Sequence, residues 1–333
     1  MKTVLVTGAT GFLGGHLVAR LLKEKQQELA VRLLCRQAQD WKGDRSVEIV
    51  EGDVLDRRAV DKAVAGVAAV FHLAGRVSRN PADAAALYDI HVRGTRNVCE
   101  SALAQGRPRL LLASSSGTIA AGRQPVLHTE DSPYIVELAG RWPYYLSKIH
   151  QEKLALACHA HHQLPVVVLN PSLLLGPGDA RLSSTGDVLR FLQGHFLNIP
   201  GGGLNFVDVR DAAAAMVAAL EKGAPGRRYL LGGHNLTLRE FFQLIERVSG
   251  ARAPRWALPE SWSRGGAAWL RRLHSLAGTT YPVDDETIEM AYRFWYCDGA
   301  RARAELGFAP RPAEETLGDT VVYLRERGHW TSS

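Results

Sequence analysis

Tyr144 and Lys148 stand four residues apart in the run Trp142-Pro143-Tyr144-Tyr145-Leu146-Ser147-Lys148. On a helix that spacing puts both side chains on one face. An ammonium beside a phenol favours the phenolate and lowers its pKa from about 10, which suits it to acid/base work near neutrality. The ordinary alternative is an exposed pair with no joint role. Three hydroxyls in a row, Ser114, Ser115 and Ser116, follow an apolar run. A third feature, Gly8-Ala9-Thr10-Gly11-Phe12-Leu13-Gly14, lies near the start of the chain. A glycine turn between a strand and a helix aims backbone N–H groups and the positive end of the helix dipole at an anion. Gly8 permits the tight turn, Gly11 lets a pyrophosphate approach the backbone, and Gly14 lets the helix pack on the strand. A glycine turn with no ligand is the plainer reading.

These groups need elements to position them. Val4-Leu5-Val6 reads as a strand buried on both faces, and Leu13, Leu17, Leu21 and Leu22 recur at helical spacing. Residues 30–35 form a second strand ending at Arg36. In a dinucleotide fold that strand end meets the adenosine ribose, where an acid suits NAD and an arginine the 2′-phosphate of NADP. Arg36 occupies it and the nearest acid, Asp40, comes later, so NADP(H) is expected ahead of NAD(H). Residues 47–51 alternate as a strand and run into Gly52-Asp53-Val54-Leu55-Asp56, with a helix over 57–65. Asp53 either accepts from the adenine amino group or starts that helix. A fourth strand over 67–75 ends in Ala74 and Gly75, small enough to leave room for a nucleotide.

A long helix spans about 82–104, and a fifth strand over 109–113 delivers the serines. Pro143 suits the first turn of a helix that runs to about 162, and a sixth strand covers 165–170. Strands over 204–209 and 229–231 flank a helix over 210–221. The remainder is mainly helical, over 237–250, 260–276, 284–293 and 312–327. Strands alternating with helices predict an α/β fold with a doubly wound parallel Rossmann sheet over 1–178 and 204–232. A smaller, mainly helical substrate lobe takes 179–203 and 233–333.

The chain has 333 residues, enough for one large core and a lesser lobe, with 46% hydrophobic and 22% charged residues. Its net charge of +6 is scattered, with no run of five or six basic residues, which argues for a solvated surface and against nucleic acid. Cys35, Cys99, Cys158 and Cys297 lie far apart. They read as reduced thiols, mostly buried, in a cytoplasmic protein. The first strand starts by residue 3, leaving no room for a signal peptide, and the apolar run 166–175 is too short to span a bilayer. No metal site is expected.

Taken in order, the motifs have a family look. Thr7-Gly8-Ala9-Thr10-Gly11-Phe12-Leu13-Gly14, Gly52-Asp53-Val54-Leu55-Asp56, Phe71-His72-Leu73-Ala74-Gly75, Val92-Arg93-Gly94-Thr95-Arg96-Asn97-Val98, the Ser114–Ser116 strand end, Tyr144-x-x-x-Lys148 and Asn170-Pro171-Ser172 resemble the extended short-chain dehydrogenase/reductases along essentially the whole chain. Leu204-Asn205-Phe206-Val207-Asp208-Val209-Arg210-Asp211 also fits. The most similar branch holds dihydroflavonol 4-reductases, 3β-hydroxysteroid dehydrogenases and the epimerase-like proteins linked to hopanoid genes.

The resemblance implies a triad of Ser115, Tyr144 and Lys148, with Ser116 as the fallback serine. Ser115 would hydrogen-bond the substrate oxygen and Tyr144 would exchange the proton. Lys148 would hold the ribose hydroxyls and tune Tyr144, and the nicotinamide would carry the hydride. It further implies cofactor contacts from Thr10, Phe12, Leu13, Val54, Leu73, Asn170, Pro171 and Ser172, beside the glycines, Arg36, Asp53, Ala74 and Gly75. A homodimer through the helices at 82–104 and 144–162 is expected on the same ground.

Three positions depart from the family pattern. His91 stands where Asn is usual, and reads as a packed helix histidine. Leu204 replaces the arginine with which nucleotide-sugar epimerases grip a pyrophosphate, and leucine makes no charge-assisted bond. Ser116-Gly117 lack the Asp-Glu of sugar dehydratases. Trp262, Ala268, Trp269, Leu273 and Leu276, with Arg264, Arg271 and Arg272 between, read as a core helix, a lid over an apolar substrate, or a surface that visits a membrane. The reading is an NAD(P)-dependent oxidoreductase acting on a carbonyl or secondary alcohol of a hydrophobic small molecule. Its rivals are a nucleotide-sugar epimerase or dehydratase and a non-catalytic NADP(H) sensor.

Overall fold

The computed structural model describes residues 2–25, 28–37, 41, 46–276, 279 and 285–331; Asp40 and part of the predicted 284–293 helix lie outside them, as does the side chain of Leu273. The chain opens with β1 (Lys2–Thr7), α1 (Phe12–Glu24), β2 (Leu29–Cys35), β3 (Val47–Glu51), α2 (Arg57–Val64) and β4 (Ala69–His72). Then come α3 (Ala84–Tyr88), α4 (Gly94–Ala104), β5 (Arg109–Ala113), α5 (Val136–Ala139), α6 (Pro143–His162), β6 (Val166–Pro171), β7 (Leu173–Leu175) and α7 (Gly186–Leu192). The last third holds β8 (Gly203–Asp208), α8 (Val209–Lys222), β9 (Arg228–Leu231), β10 (His234–Thr237), α9 (Leu238–Ser249), α10 (Glu260–Leu276), α11 (Asp285–Ala291), α12 (Ala300–Leu306) and α13 (Ala313–Glu326).

Seven parallel strands form the main sheet in the order β3-β2-β1-β4-β5-β6-β9. The doubly wound α/β fold expected from the sequence is the observed one. Successive side chains on a strand face opposite ways, so each strand feeds two cores. Val4, Val6 and Leu33 pack with Leu17 and Leu21 of α1 and Met216 of α8 on one face. Leu5, Leu34 and Val70 pack with Val60 of α2, Val98 of α4 and Ala155 of α6 on the other.

A second sheet, β10-β8-β7, builds the other lobe, with β8 parallel to β7 and antiparallel to β10. Its core joins Phe206 to Phe241 and Phe242 of α9 and Leu317 and Leu324 of α13. The strand predicted over 204–209 thus pairs in this small sheet, while α8 and β9 return to the large one. The helix predicted unbroken over 82–104 is interrupted by a π turn at Asp89–Arg93. The wider turn brings two consecutive residues, His91 and Val92, into the interior. None of the four cysteines forms a disulfide; Cys35, Cys99 and Cys297 are buried and Cys158 is half-buried.

The glycine turn is fixed by crowding. Gly8 has φ +75°, and a Cβ there would stand 2.7 Å from the Leu73 and Ala74 backbone at the end of β4. A Cβ on Gly14 would overlap the Gly8 carbonyl, so α1 reaches β1 only because residue 14 has no side chain. Gly8→Ala is expected to cost about 2 kcal/mol, read as a lower urea midpoint. An unchanged midpoint contradicts this account of the turn.

Candidate active site

α6 begins where Pro143 supplies a preset φ at N1, and the helix carries Tyr144, Lys148, Gln151 and Glu152 on one stripe. Lys148 is 6% exposed. Its Nζ donates to the Ala113 carbonyl at 2.9 Å and to Gln151 Oε1 at 2.9 Å. An ammonium has three donors, so one remains for a ligand. Burial lowers the pKa of Lys148 to about 8, opposed by the negative charge of Glu152.

Ser115 lies two residues beyond β5 and accepts from the Gly117 N–H at 3.3 Å, which starts a short turn over Ser116–Thr118. The Ser115 side chain is close enough to the Tyr144 phenol to favour its phenolate, while Ser116 is buried. The structure therefore brings Ser115, Tyr144 and Lys148 to one floor. It corrects one expectation. Burial pushes the Tyr144 phenol up, with the neighbouring Tyr145 adding, and Ser115 opposes them. Two of the three Lys148 donors go to Ala113 and Gln151, and burial outweighs any help to the phenolate.

Beneath this floor lies a group that sequence reasoning missed. Glu152 is fully buried and accepts from Ser114 Oγ, from Thr118 Oγ1 at 2.9 Å, from Asn170 Nδ2 at 2.5 Å and from the Tyr134 hydroxyl at 3.2 Å. All four partners donate, which suits a carboxylate, although burial pulls its pKa up. Asn170 also donates to the Ser115 carbonyl at 3.0 Å, so its amide faces inward and fixes the serine.

A second buried chain runs from Lys148 through Gln151 Nε2 to Thr95 Oγ1 at 2.8 Å, then to His72 Nε2 at 2.9 Å and from His72 Nδ1 to Thr7 Oγ1 at 2.7 Å. Burial lowers His72 to about 3 and keeps it neutral. His91 is packed, as expected, but against the site itself: its ring meets Tyr144 edge-on at 5.8 Å. His91 Nε2 accepts from the Arg76 N–H at 3.2 Å, so the proton sits on Nδ1, donated to Ser147 Oγ at 2.8 Å. Burial takes His91 down to about 2.

The features proposed to hold a dinucleotide line the same edge. Gly11 caps α1 without a side-chain bond, and no acid stands in the first turn, so its amides suit an anion. Leu13 and Val54 are core residues, so of these only backbone atoms face a ligand; Phe12 packs edge-on against His16 at 5.9 Å. Arg36 is 72% exposed and sits a loose 3.8 Å from Asp53, whose other oxygen accepts from the Leu55 N–H at 2.9 Å. Gly75 faces Lys148, and a Cβ there would stand 3.7 Å from Nζ and 2.9 Å from His91 Nε2. Pro171 pairs with β9 and Ser172 donates to the Leu231 carbonyl, both at the rim of the floor. An uncapped helix end and a side-chain-free strand exit fit a dinucleotide.

Over the phenol stands an aromatic wall. Tyr145 lies 5.0 Å from Tyr144 and 5.0 Å from Trp295, which lies 5.4 Å from Trp142. A side chain at 117 would collide with the Tyr145 ring. Arg79, in the loop after β4, grips Asp187 of α7 with two bonds of 3.1 and 2.6 Å and ties the lobes together beside Tyr145.

Residues 4–232 match the model of the NAD dependent epimerase/dehydratase family. The chain belongs to that family. With it comes the general class of NAD(P)-dependent oxidoreductase enzymes. Sterol demethylase protein B of Methylococcus capsulatus is 32% identical over 98% of this chain and 99% of its own. A putative dihydroflavonol 4-reductase of Synechocystis is 31% identical over 97% and 95%. The crystal structure of the protein designated gox2253 superposes with a TM-score of 0.84 at 30% identity, covering 99% of this chain and 100% of that one.

Glu152→Gln places an amide against four donors. It is expected to cost roughly 2–4 kcal/mol in urea unfolding. A loss under about 0.5 kcal/mol, the range of an ordinary surface substitution, contradicts the buried-acceptor account.

Proposed function

We propose that this chain is an NADP(H)-dependent reductase of a ketone or aldehyde on a hydrophobic small molecule, or the dehydrogenase of the corresponding secondary alcohol. The observation that carries the reading is the Tyr144 phenol, with Ser115 beside it, against the wall of Tyr145, Trp295 and Trp142. The α1 amides would hold the pyrophosphate, Arg36 the 2′-phosphate, and the free donor of Lys148 a ribose hydroxyl. The bound nicotinamide supplies or removes the hydride. Ser115 orients the substrate oxygen by a hydrogen bond. Tyr144, held protonated by burial, is poised to donate to that oxygen, the direction a reduction needs.

Two details speak against nucleotide sugars. Leu204 lies opposite Leu236 in the small sheet, and a leucine offers a pyrophosphate no charge-assisted bond. The dehydratase glutamate has no room at 117, where Tyr145 fills the space. The Synechocystis relative's name supports a reduction.

Incubation with NADPH and a panel of aromatic and alicyclic ketones should show turnover, and Tyr144→Phe should lower kcat by about 10²–10⁴ while cofactor binding persists. No ketone turnover, with UDP-sugar conversion instead, overturns the proposal. Lys148 is charged below about 8 and neutral above, so kcat/KM for reduction should fall as pH rises through that value. A profile flat from pH 6 to 10 contradicts a role for its charge. Arg36→Asp should weaken NADPH relative to NADH by at least about tenfold. An unchanged ratio removes Arg36 from the ribose pocket.

A further inference from the structure

α10 is amphipathic with its apolar face turned outward. Trp262, Trp269 and Leu276 recur every seven residues, which keeps them in one stripe. They are 71%, 63% and 80% exposed, while Ala267 on the other side is buried. Two more exposed apolar residues belong to segments tied to the same helix. Trp256 and Leu197 are 77% and 74% exposed. The Ile199 N–H donates to the Trp256 carbonyl at 2.8 Å, and Asn198 Nδ2 donates to Ser263 Oγ at 3.2 Å. A soluble surface seldom gathers this much apolar area without a partner.

The charge around the stripe selects the partner. Residues 251–276 contain five arginines and one acid, Glu260; Arg255 pairs with Glu246 at 3.1 Å and Arg271 with Asp285 at 2.8 Å, which leaves the segment and these partners a net +2. Glu260 faces Arg264 and Arg293 at 3.4 Å each. Arg272 is exposed at the border of the stripe. In a twofold contact between copies, this positive face would meet itself. An anionic bilayer surface offers the opposite charge to the arginines and an interfacial layer that accepts tryptophan. Among the described residues no helix is long and apolar enough to cross a membrane, so the contact would be peripheral.

We propose that α10, with Trp256 and Leu197, is a docking face for an anionic lipid surface. The face communicates with the cleft by one short segment. Tyr292 shares a 2.6 Å bond with Ser263 of α10 and donates to the Leu258 carbonyl at 2.7 Å, and three residues on Trp295 stands on Tyr145. Docking would set the aromatic wall beside the phase in which an apolar substrate dissolves. That purpose rests on the hydrophobic-substrate reading; lipid binding itself does not.

Full-length protein is sedimented with phosphatidylcholine vesicles containing 30% phosphatidylserine and with pure phosphatidylcholine vesicles. Preferential binding to the anionic vesicles is expected, weakened in 0.5 M salt and reduced by about tenfold or more in Trp262→Glu/Trp269→Glu. A blue shift of wild-type tryptophan emission on the anionic vesicles reads the same contact without a variant. Turnover of a water-soluble ketone by both proteins tests the reductase reading separately. No binding, binding equal on both vesicles, or a wild-type dimer that the double variant dissociates without any lipid binding overturns the proposal.

Discussion

A buried ammonium is the constraint on which the site depends. Lys148 has almost no contact with solvent, and a cation in such a place costs several kcal/mol unless it is bonded and opposed by charge. The fold answers with the Ala113 carbonyl at the end of β5, the Gln151 amide one turn on, and the Glu152 carboxylate behind them. Glu152 in turn takes its donors from Ser114, Thr118, Asn170 and Tyr134. The residues flanking Ser115 are thereby pinned to the helix that carries the phenol. One face of α6 is polar where an ordinary packed helix would be apolar, and that reversal gives the molecule its active-site candidate.

The nucleotide side and the proton side are joined by the same logic. Through Gln151, Thr95, His72 and Thr7 the ammonium is linked to β1, whose next residue is Gly8 of the glycine turn. Thr7 Oγ1 also accepts from the Ala74 N–H at 3.2 Å, where β4 gives way to the small residues Ala74 and Gly75. Neutral histidines serve both branches, because burial holds His72 and His91 unprotonated beside a cation. A charged histidine in either place would be repelled by the Lys148 ammonium.

The sheet was legible because strands buried on both faces leave short aliphatic runs between glycines, and β5 and β3 match their predicted ranges. Pro143 announced the start of α6 for a similar local reason. The small sheet was not legible: β7 has three residues, and β10 is polar and half-exposed. Neither the π turn at Asp89–Arg93 nor the role of Glu152 has a local signature, since a single glutamate on a helix reads as solvated. The aromatic wall joins Trp295 to Tyr145 across 150 residues, a contact that spacing does not encode. For α10 the period was right, but a period names a face and not what covers it.

The central claim is that the Lys148 amine is held in the interior, with its affinity for a proton reduced by burial and restored in part by Glu152. The direct measurement is a pH titration of ¹⁵Nζ-labelled lysines by NMR in the full-length protein, with Lys148 assigned by its absence in Lys148→Met. The account predicts that Lys148 titrates near 8, apart from the other lysines. A midpoint at the ordinary value of about 10.5 would place the amine in solvent and contradict it.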